Sequence, residues 1–302
     1  MSAPKNPIIW NKSLSQYKVY GSCSPATFKD KLNQVLIGDE DRLTVSAAVF
    51  VDVLRATTTL VAVGGAGCKG IVVDKKPSRG NYAFVPPFFK DQEWVFGGEL
   101  NGSPIQGTDA HGNLLDGVIS NSPLSVNQTT FGGKYLRFFS TNGAAAFQAL
   151  SKAKFSSIFA LSLANIEATA NALIDAKPER IWIVGGGFYG GATIEDSVAA
   201  GFLIRALLNR GFASREDLDD EAETMRIHAL HFQARDKIRS TELASRLRNG
   251  QVAKLLTGIG QGKDVNACIS GAGMLGTWRS MAKIALACRD HKKKLLVPEV
   301  WA

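Results

Sequence analysis

Short apolar runs alternate with stretches in which apolar positions recur every three or four residues, and this alternation persists through most of the chain. The runs at 43–53, 71–74, 94–96, 135–139, 157–161 and 181–184 predict strands, and the periodic stretches at 57–66, 142–153, 166–176 and 194–209 predict helices. The segment 215–256 is polar with helical spacing and predicts two helices, and 295–297 predicts a last strand returning to the sheet. Strand followed by helix, repeated, predicts an α/β fold: a layered α/β/α arrangement with a largely parallel sheet, in one domain or two subdomains sharing that sheet. Two loops look long, at 102–128 and at 270–277 (SGAGMLGT), and long loops inside a compact domain tend to carry function.

Composition narrows this picture. The 302 residues are 45% hydrophobic and 21% charged, enough apolar surface for a sizeable core in an ordered globular chain. The net charge of +8 favours solubility and draws anions. Apart from the run 291–294 the basic residues are scattered, and no zinc-finger, RNP or helix-turn-helix pattern occurs, so nucleic acid is not an expected partner. Cys23, Cys68, Cys268 and Cys288 have no CxxC spacing and read as reduced thiols. The first residues lack a basic-then-apolar signal pattern and no apolar run reaches bilayer length, so the expected setting is the cytoplasm, without a membrane partner.

The candidate chemistry lies where strands give way to helices. In open α/β sheets, ligands collect beyond the carboxyl ends of strands. VFVDVLRATTTL (49–60) carries Asp52 at a strand end, Arg55 just beyond, and Thr57, Thr58 and Thr59 at a helix start. One reading is an Asp52–Arg55 ion pair with threonine hydroxyls satisfying free helix N–H groups. The other is a ligand or metal that offsets the cost of burying the charges. FFSTNGA (138–144) ends a strand in Ser140, Thr141, Asn142 and Gly143; it reads as an ordinary N-cap or as backbone N–H groups facing an anion. VGGGFYGGATIED (184–196) passes through glycines to Thr193, an N-cap candidate, with Glu195 and Asp196 in the first helical turn. GGELNGSPIQGTD (97–109) sets Glu99 after two glycines as a candidate for a cation or a substrate hydroxyl. His228 and His231, three apart on a helical segment, read as a surface helix or a metal pair.

Taken in order, these pieces resemble the 2-phosphosulfolactate phosphatase (ComB-like) family. DVLRATTT is similar to that family's DVLRASTT, and GGELNGSPIQGTD to its GGE-x-x-G-x-P-I-x-G-F-D. Asn121-Ser122-Pro123 resembles the end of its GNSP, Thr141-Asn142-Gly143 its TTNGT, and the segment from Thr193 to Gly201 its SLED-x-x-x-A-G. Lys263 to Cys268 and Val297-Pro298 resemble its C-terminal pieces, so the likeness runs from about residue 40 nearly to the end, leaving 1–40 as an N-terminal extension.

The resemblance implies Mg²⁺-dependent hydrolysis of a small anionic 2-phospho acid such as 2-phosphosulfolactate. It puts Asp52, Glu99 and Glu195 in catalysis and Asp52, Glu195 and Asp196 on the metal. It puts Arg55, Thr57, Asn121, Thr141, Asn142 and Gly143 on the anionic substrate. The chemistry agrees in kind: carboxylates suit a hard cation, and Arg55 with a helix N-terminus suits oxyanions. Asp52 would then serve the cation side and Arg55 the anion side of one site.

The chain also departs from the family. Gly185 stands where the family has cysteine, Ala145 where it has arginine, and Asn249 where it has histidine. Residues 110–119 are inserted, with His111 as a loop acid/base candidate or a solvated histidine, and a second insertion falls at about 270–290. Three readings follow: the phosphatase; a divergent lyase, cyclase or isomerase of a small carboxylate or amino acid; and a non-catalytic anion binder. A homo-oligomer is compatible with each. Asp52, Arg55, Glu99, Asn142 and Glu195 are expected to converge on one cleft.

Overall fold

A computed structural model describes residues 18–35, 40–74, 93–100, 103–105, 119–231, 241–271, 279–289 and 295–300. Its strands are β1 (Val19–Ser22), β2 (Ala47–Val51), β3 (Gly70–Asp74), β4 (Trp94–Leu100), β5 (Ser103–Pro104), β6 (Ile119–Ser120), β7 (Tyr135–Phe139), β8 (Ser157–Leu161), β9 (Ile181–Gly185), β10 (Ile284–Cys288) and β11 (Leu295–Val300). The helices are α1 (Pro25–Val35), α2 (Ala56–Gly65), α3 (Gln128–Phe131), α4 (Gly143–Lys152), α5 (Ile166–Ala176), α6 (Ile194–Asn209), α7 (Asp220–His231), α8 (Thr241–Arg248), α9 (Gln251–Gly258) and α10 (Gly262–Ser270). Among the described residues the strands form one sheet, in the order β1-β9-β2-β8-β10-β11-β3-β7-β4-β5, with β6 beside β4. Helices surround this mostly parallel sheet, as the alternation of strand and helix predicts.

The sheet has two parallel blocks. In the first, β1, β9, β2 and β8 run parallel; in the second, β3, β7, β4 and β6 do. Three antiparallel pairings separate them: β8 with β10, β10 with β11, and β11 with β3. An odd number of reversals makes the blocks run opposite ways along the ladder. A flat sheet would carry their carboxyl ends apart. Even so, α4, which follows β7 of the second block, packs on β2 of the first. Phe147 of α4 meets Phe50 of β2 at 5.4 Å between ring centres. One hydrophobic cluster runs through both blocks.

Several elements differ from the pattern-based expectation. The apolar run at 43–53 opens with a 3-10 turn (Glu40–Val45), so the strand starts only at Ala47. Among the described residues, the polar stretch 215–256 holds three helices rather than two, because Gly250 adopts an extended conformation and starts α9 afresh. Part of the segment expected as a late insertion, IALAC, is the buried strand β10 in the middle of the sheet. Part of the N-terminal extension forms the sheet edge: Tyr20 of β1 pairs with Trp182 of β9 and stacks on it at 4.3 Å. His111, with the rest of the insertion up to residue 118, lies outside the described residues, as do 272–278 of the later loop and the basic run 291–294. Among the described residues, no helix is long and apolar enough to cross a membrane.

Candidate active site

The chain leaves β2 at Val51, and Asp52 is the first residue beyond the strand. Its backbone carbonyl accepts from the N–H of Thr57 and from the Thr57 hydroxyl, while its carboxylate Oδ1 accepts from the N–H of Ala56 at 3.3 Å. The start of α2 is therefore capped by the Asp52 carboxylate rather than by the threonines. Thr57 and Thr58 turn their hydroxyls back onto the carbonyls of Asp52 and Val53, at 2.8 Å each. Both are buried, and Thr57 is not on the cavity wall described below.

Two glycines let other loops approach this carboxylate. A Cβ at Gly143 would sit 2.9 Å from Asp52 Oδ2 and 2.6 Å from the Cβ of Ala56, and one at Gly186 would sit 3.1 Å from the Cβ of Asp52. Gly185 is equally confined, by the Cys23 carbonyl oxygen at 2.8 Å from such a Cβ, so a side chain there has no room beside the β1 edge.

Four acids gather here. Asp52, Glu99, Glu195 and Asp196 are all nearly buried. Burial first, and the neighbouring Asp196 second, push the Asp52 carboxyl up to about 8. Glu195 is pushed up to about 8 by burial, then by Asp196. Asp196 rises only to about 6, because burial is partly offset by backbone N–H donors. Val53 N–H donates to its Oδ1 at 2.9 Å and Gly187 N–H to its Oδ2 at 3.3 Å, so Asp196 ties the glycine-rich loop to the loop carrying Asp52. Glu99 accepts from the Thr141 N–H at 2.6 Å and from the Thr141 hydroxyl at 3.0 Å. The N–H expected to face a ligand anion at Thr141 thus faces a carboxylate of the protein. Asn142 occupies the N-cap position of α4, but Ser140 Oγ accepts the Gly143 N–H, at 3.0 Å.

Arg55 does not pair with Asp52. Its Nη1 donates to Asp264 Oδ2 of α10 at 2.6 Å, and Ser122 donates to the other oxygen of Asp264 at 2.6 Å. Asp264 is the partner that the strand-to-helix reading missed. It lies 209 positions away in a segment whose only signal was the likeness of Lys263 to Cys268 to a family motif.

A cavity of about 260 Å³ opens at this point. Its lining combines the polar Asp52, Arg55, Glu99, Asn121, Ser140, Thr141 and Asn142 with Leu54, Phe188, Tyr189, Val252, Leu255, Leu256 and Ile259. Asn121 Oδ1 is buried there without a hydrogen-bond partner among the described residues, as expected of a group reserved for a ligand. Four of the five residues expected to converge are on the wall; Glu195 is not. It is 2% exposed and lies behind, against Gly250 at the start of α9. Asp196 and Gly143 likewise support the wall without lining it. Ala145 and Asn249 are exposed and off the wall. His228 and His231 are exposed on α7, and among the described residues no three histidine, cysteine or carboxylate side chains are placed to hold one metal ion together.

The profile of the 2-phosphosulpholactate phosphatase family matches residues 36–273. The chain belongs to that family. A relative from Synechococcus sp. (strain RCC307), named a probable 2-phosphosulfolactate phosphatase, is 35% identical over 191 residues, 63% of this chain and 73% of its own length. One of the same name from Cyanothece sp. is 30% identical over 228 residues, 76% of this chain and 86% of its own. The family match begins after β1 and α1 and ends before β10, so the sheet edge at Tyr20 and the central strand at Leu286 lie outside it.

Proposed function

We propose that this chain is a phosphatase that hydrolyses the phosphate monoester of a small acid, with a magnesium ion held at the Asp52 side of the cavity. The observation that carries the reading is the pairing, on one wall, of two carboxylates (Asp52, Glu99) with Arg55 and the neutral polar groups of Asn121, Ser140, Thr141 and Asn142. A bare anion receptor would gain nothing from carboxylates facing the same space, whereas with a cation bound these carboxylates would help to hold an anionic substrate. Asp52 and Glu99 are the wall residues that would hold it, and two carboxylates with room for water and phosphate oxygens are the usual setting of Mg²⁺. When bound, such an ion neutralises phosphate oxygens and makes a coordinated water a better nucleophile.

The chain's own groups do the rest. Arg55 meets Asp264 through Nη1, which leaves Nε and Nη2 as donors for phosphate oxygens in a fixed plane. The Asn121 amide lines the same cavity, where its Nδ2 group would donate to a substrate oxygen. Asp196 fixes the Asp52 and Gly187 loops against each other. With a divalent charge bound beside it, Asp52 would be held ionised against its burial and the neighbouring Asp196.

Phosphate release from 2-phospholactate and 2-phosphosulfolactate, with Mg²⁺ and after chelation, is the test. Release that needs the metal and disappears in Asp52→Asn is the expected result. Full release by Asp52→Asn, or by the chelated protein, would overturn the reading.

A further inference from the structure

Part of the cavity lining, besides the carboxylates, is a stripe of carbon. Val252, Leu255, Leu256 and Ile259 follow the i, i+3, i+4, i+7 spacing of one helical face, and all four line the cavity. Leu54 and Phe188 extend the surface. Leu255 and Ile259 remain 49% and 52% exposed, so this face is not used up by the protein core. Among the described residues, Arg55 is the only cation on the wall, and Asp264 already offsets its charge.

These observations bear on which acid is hydrolysed. 2-Phosphosulfolactate carries a phosphate, a carboxylate and a sulfonate, and no apolar group. A phosphate dianion would use Arg55, with a cation held at Asp52. A sulfonate pressed against α9 would lose its hydration and meet no positive charge, which is unfavourable. An alkyl group in that place would bury apolar area on a surface already presented to it. The cavity is also small against the usual ligand range of about 300–1,000 Å³.

We propose that the substrate is a phosphate monoester whose organic part carries a compact apolar group, branched aliphatic in kind, seated on the Val252–Ile259 stripe, in place of a sulfonate. This rests on the phosphatase reading for the chemistry at the ester, but binding tests it separately.

Two probes share a 2-phosphooxy acid core: 2-phosphosulfolactate, and 2-phosphooxy-4-methylpentanoate, in which isopropyl replaces the sulfonate. Their phosphonate analogues, with CH₂ for the ester oxygen, are titrated calorimetrically into the Mg²⁺-loaded protein. The isopropyl compound should bind at least about tenfold more tightly, the scale of discrimination that one or two carbon groups provide in an apolar pocket. Leu255→Lys, at a half-exposed position where folding should tolerate it, should narrow or reverse that preference.

Equal or tighter binding of the sulfonate, no binding of either compound, or a preference unmoved by Leu255→Lys would overturn the proposal. So would a dimer that Leu255→Lys splits, since a second copy would then occupy the stripe. Phosphate release from the two esters is read alongside. No release with the isopropyl preference intact would overturn the phosphatase reading alone; efficient release from the sulfonated ester together with a sulfonate preference would overturn this proposal alone.

Discussion

At the residue scale the most consequential group is Asp52, whose burden is visible in its protonation. In the fold its carboxyl is pushed up to about 8, by burial and then by Asp196, whereas an unfolded aspartate ionises near about 3.9. Between those values the folded chain holds a proton that the unfolded chain has released. The stability from this group is therefore full below about pH 4 and lost as pH rises through about 8. Glu195, also pushed up to about 8, acts in the same direction. The metal-free protein is expected to melt at progressively lower temperature between about pH 5 and about pH 8.5. Asp52→Asn keeps the oxygen that caps Ala56 and removes the charge, so it should flatten that decline and melt higher than the parent at the alkaline end. Melting curves across the range check this; a melting temperature that climbs with pH in the parent would contradict it. The same balance explains why Arg55 leaves Asp52 unpaired: its guanidinium is committed to Asp264 at 2.6 Å.

At the element scale, close approach of helices carries the design. Gly201 of α6 lies directly on α7, where a Cβ would come 2.0 Å from the Met225 carbonyl oxygen and 2.7 Å from the Cβ of Ala229. Neither backbone can yield that distance without separating the helices. Gly201→Ala is expected to destabilise the fold by roughly 1–3 kcal/mol, the range for overpacking, as read from the denaturant midpoint. Because α6 carries Glu195 and Asp196 in its first turn, the variant should also weaken Mg²⁺-induced stabilisation. Unchanged stability would mean that α7 moves freely, contrary to the burial of Ala222, Met225 and Ala229. The A-G pair at Ala200 and Gly201, met first as a family resemblance, thus has a packing cause.

At the scale of the whole molecule, the Arg55–Asp264–Ser122 chain joins three distant parts. Ser122 sits after β6 of the second block, Arg55 after β2 of the first, and Asp264 on α10. The Arg55 and Asp264 side chains are 3% and 11% exposed. Removing one partner of a buried pair leaves an uncompensated charge, at a cost of about 3–5 kcal/mol. Asp264→Ala should therefore lose stability on that scale, and Asp264→Asn, which retains an acceptor, should lose less. Both should raise KM more than they lower kcat, since Arg55 would lose its fixed orientation. Thermal melts and steady-state kinetics check this together; an Asp264→Ala protein as stable as its parent would show that water, not Asp264, compensates Arg55.

The sequence by itself determined the alternation of strands and helices and the places where chemistry could sit. The segments at 135–139, 157–161, 166–176 and 194–209 fold with those limits, because unbroken apolar runs and period-3.6 faces are local properties. Asp52, Arg55, Glu99, Asn121, Thr141 and Asn142 were legible as a set because each follows a strand or belongs to a contiguous motif. What the tertiary structure decided is non-local. The joining of two opposed blocks depends on three antiparallel pairings, two of them made by a strand that looked like an insertion. The setting of Glu195 behind the wall, the assignment of Asp264 to Arg55, and the turn of α9's apolar face toward the cavity all arise between segments far apart in the chain. No local period encodes such pairings; they exist only once burial of the shared core has set which surfaces meet.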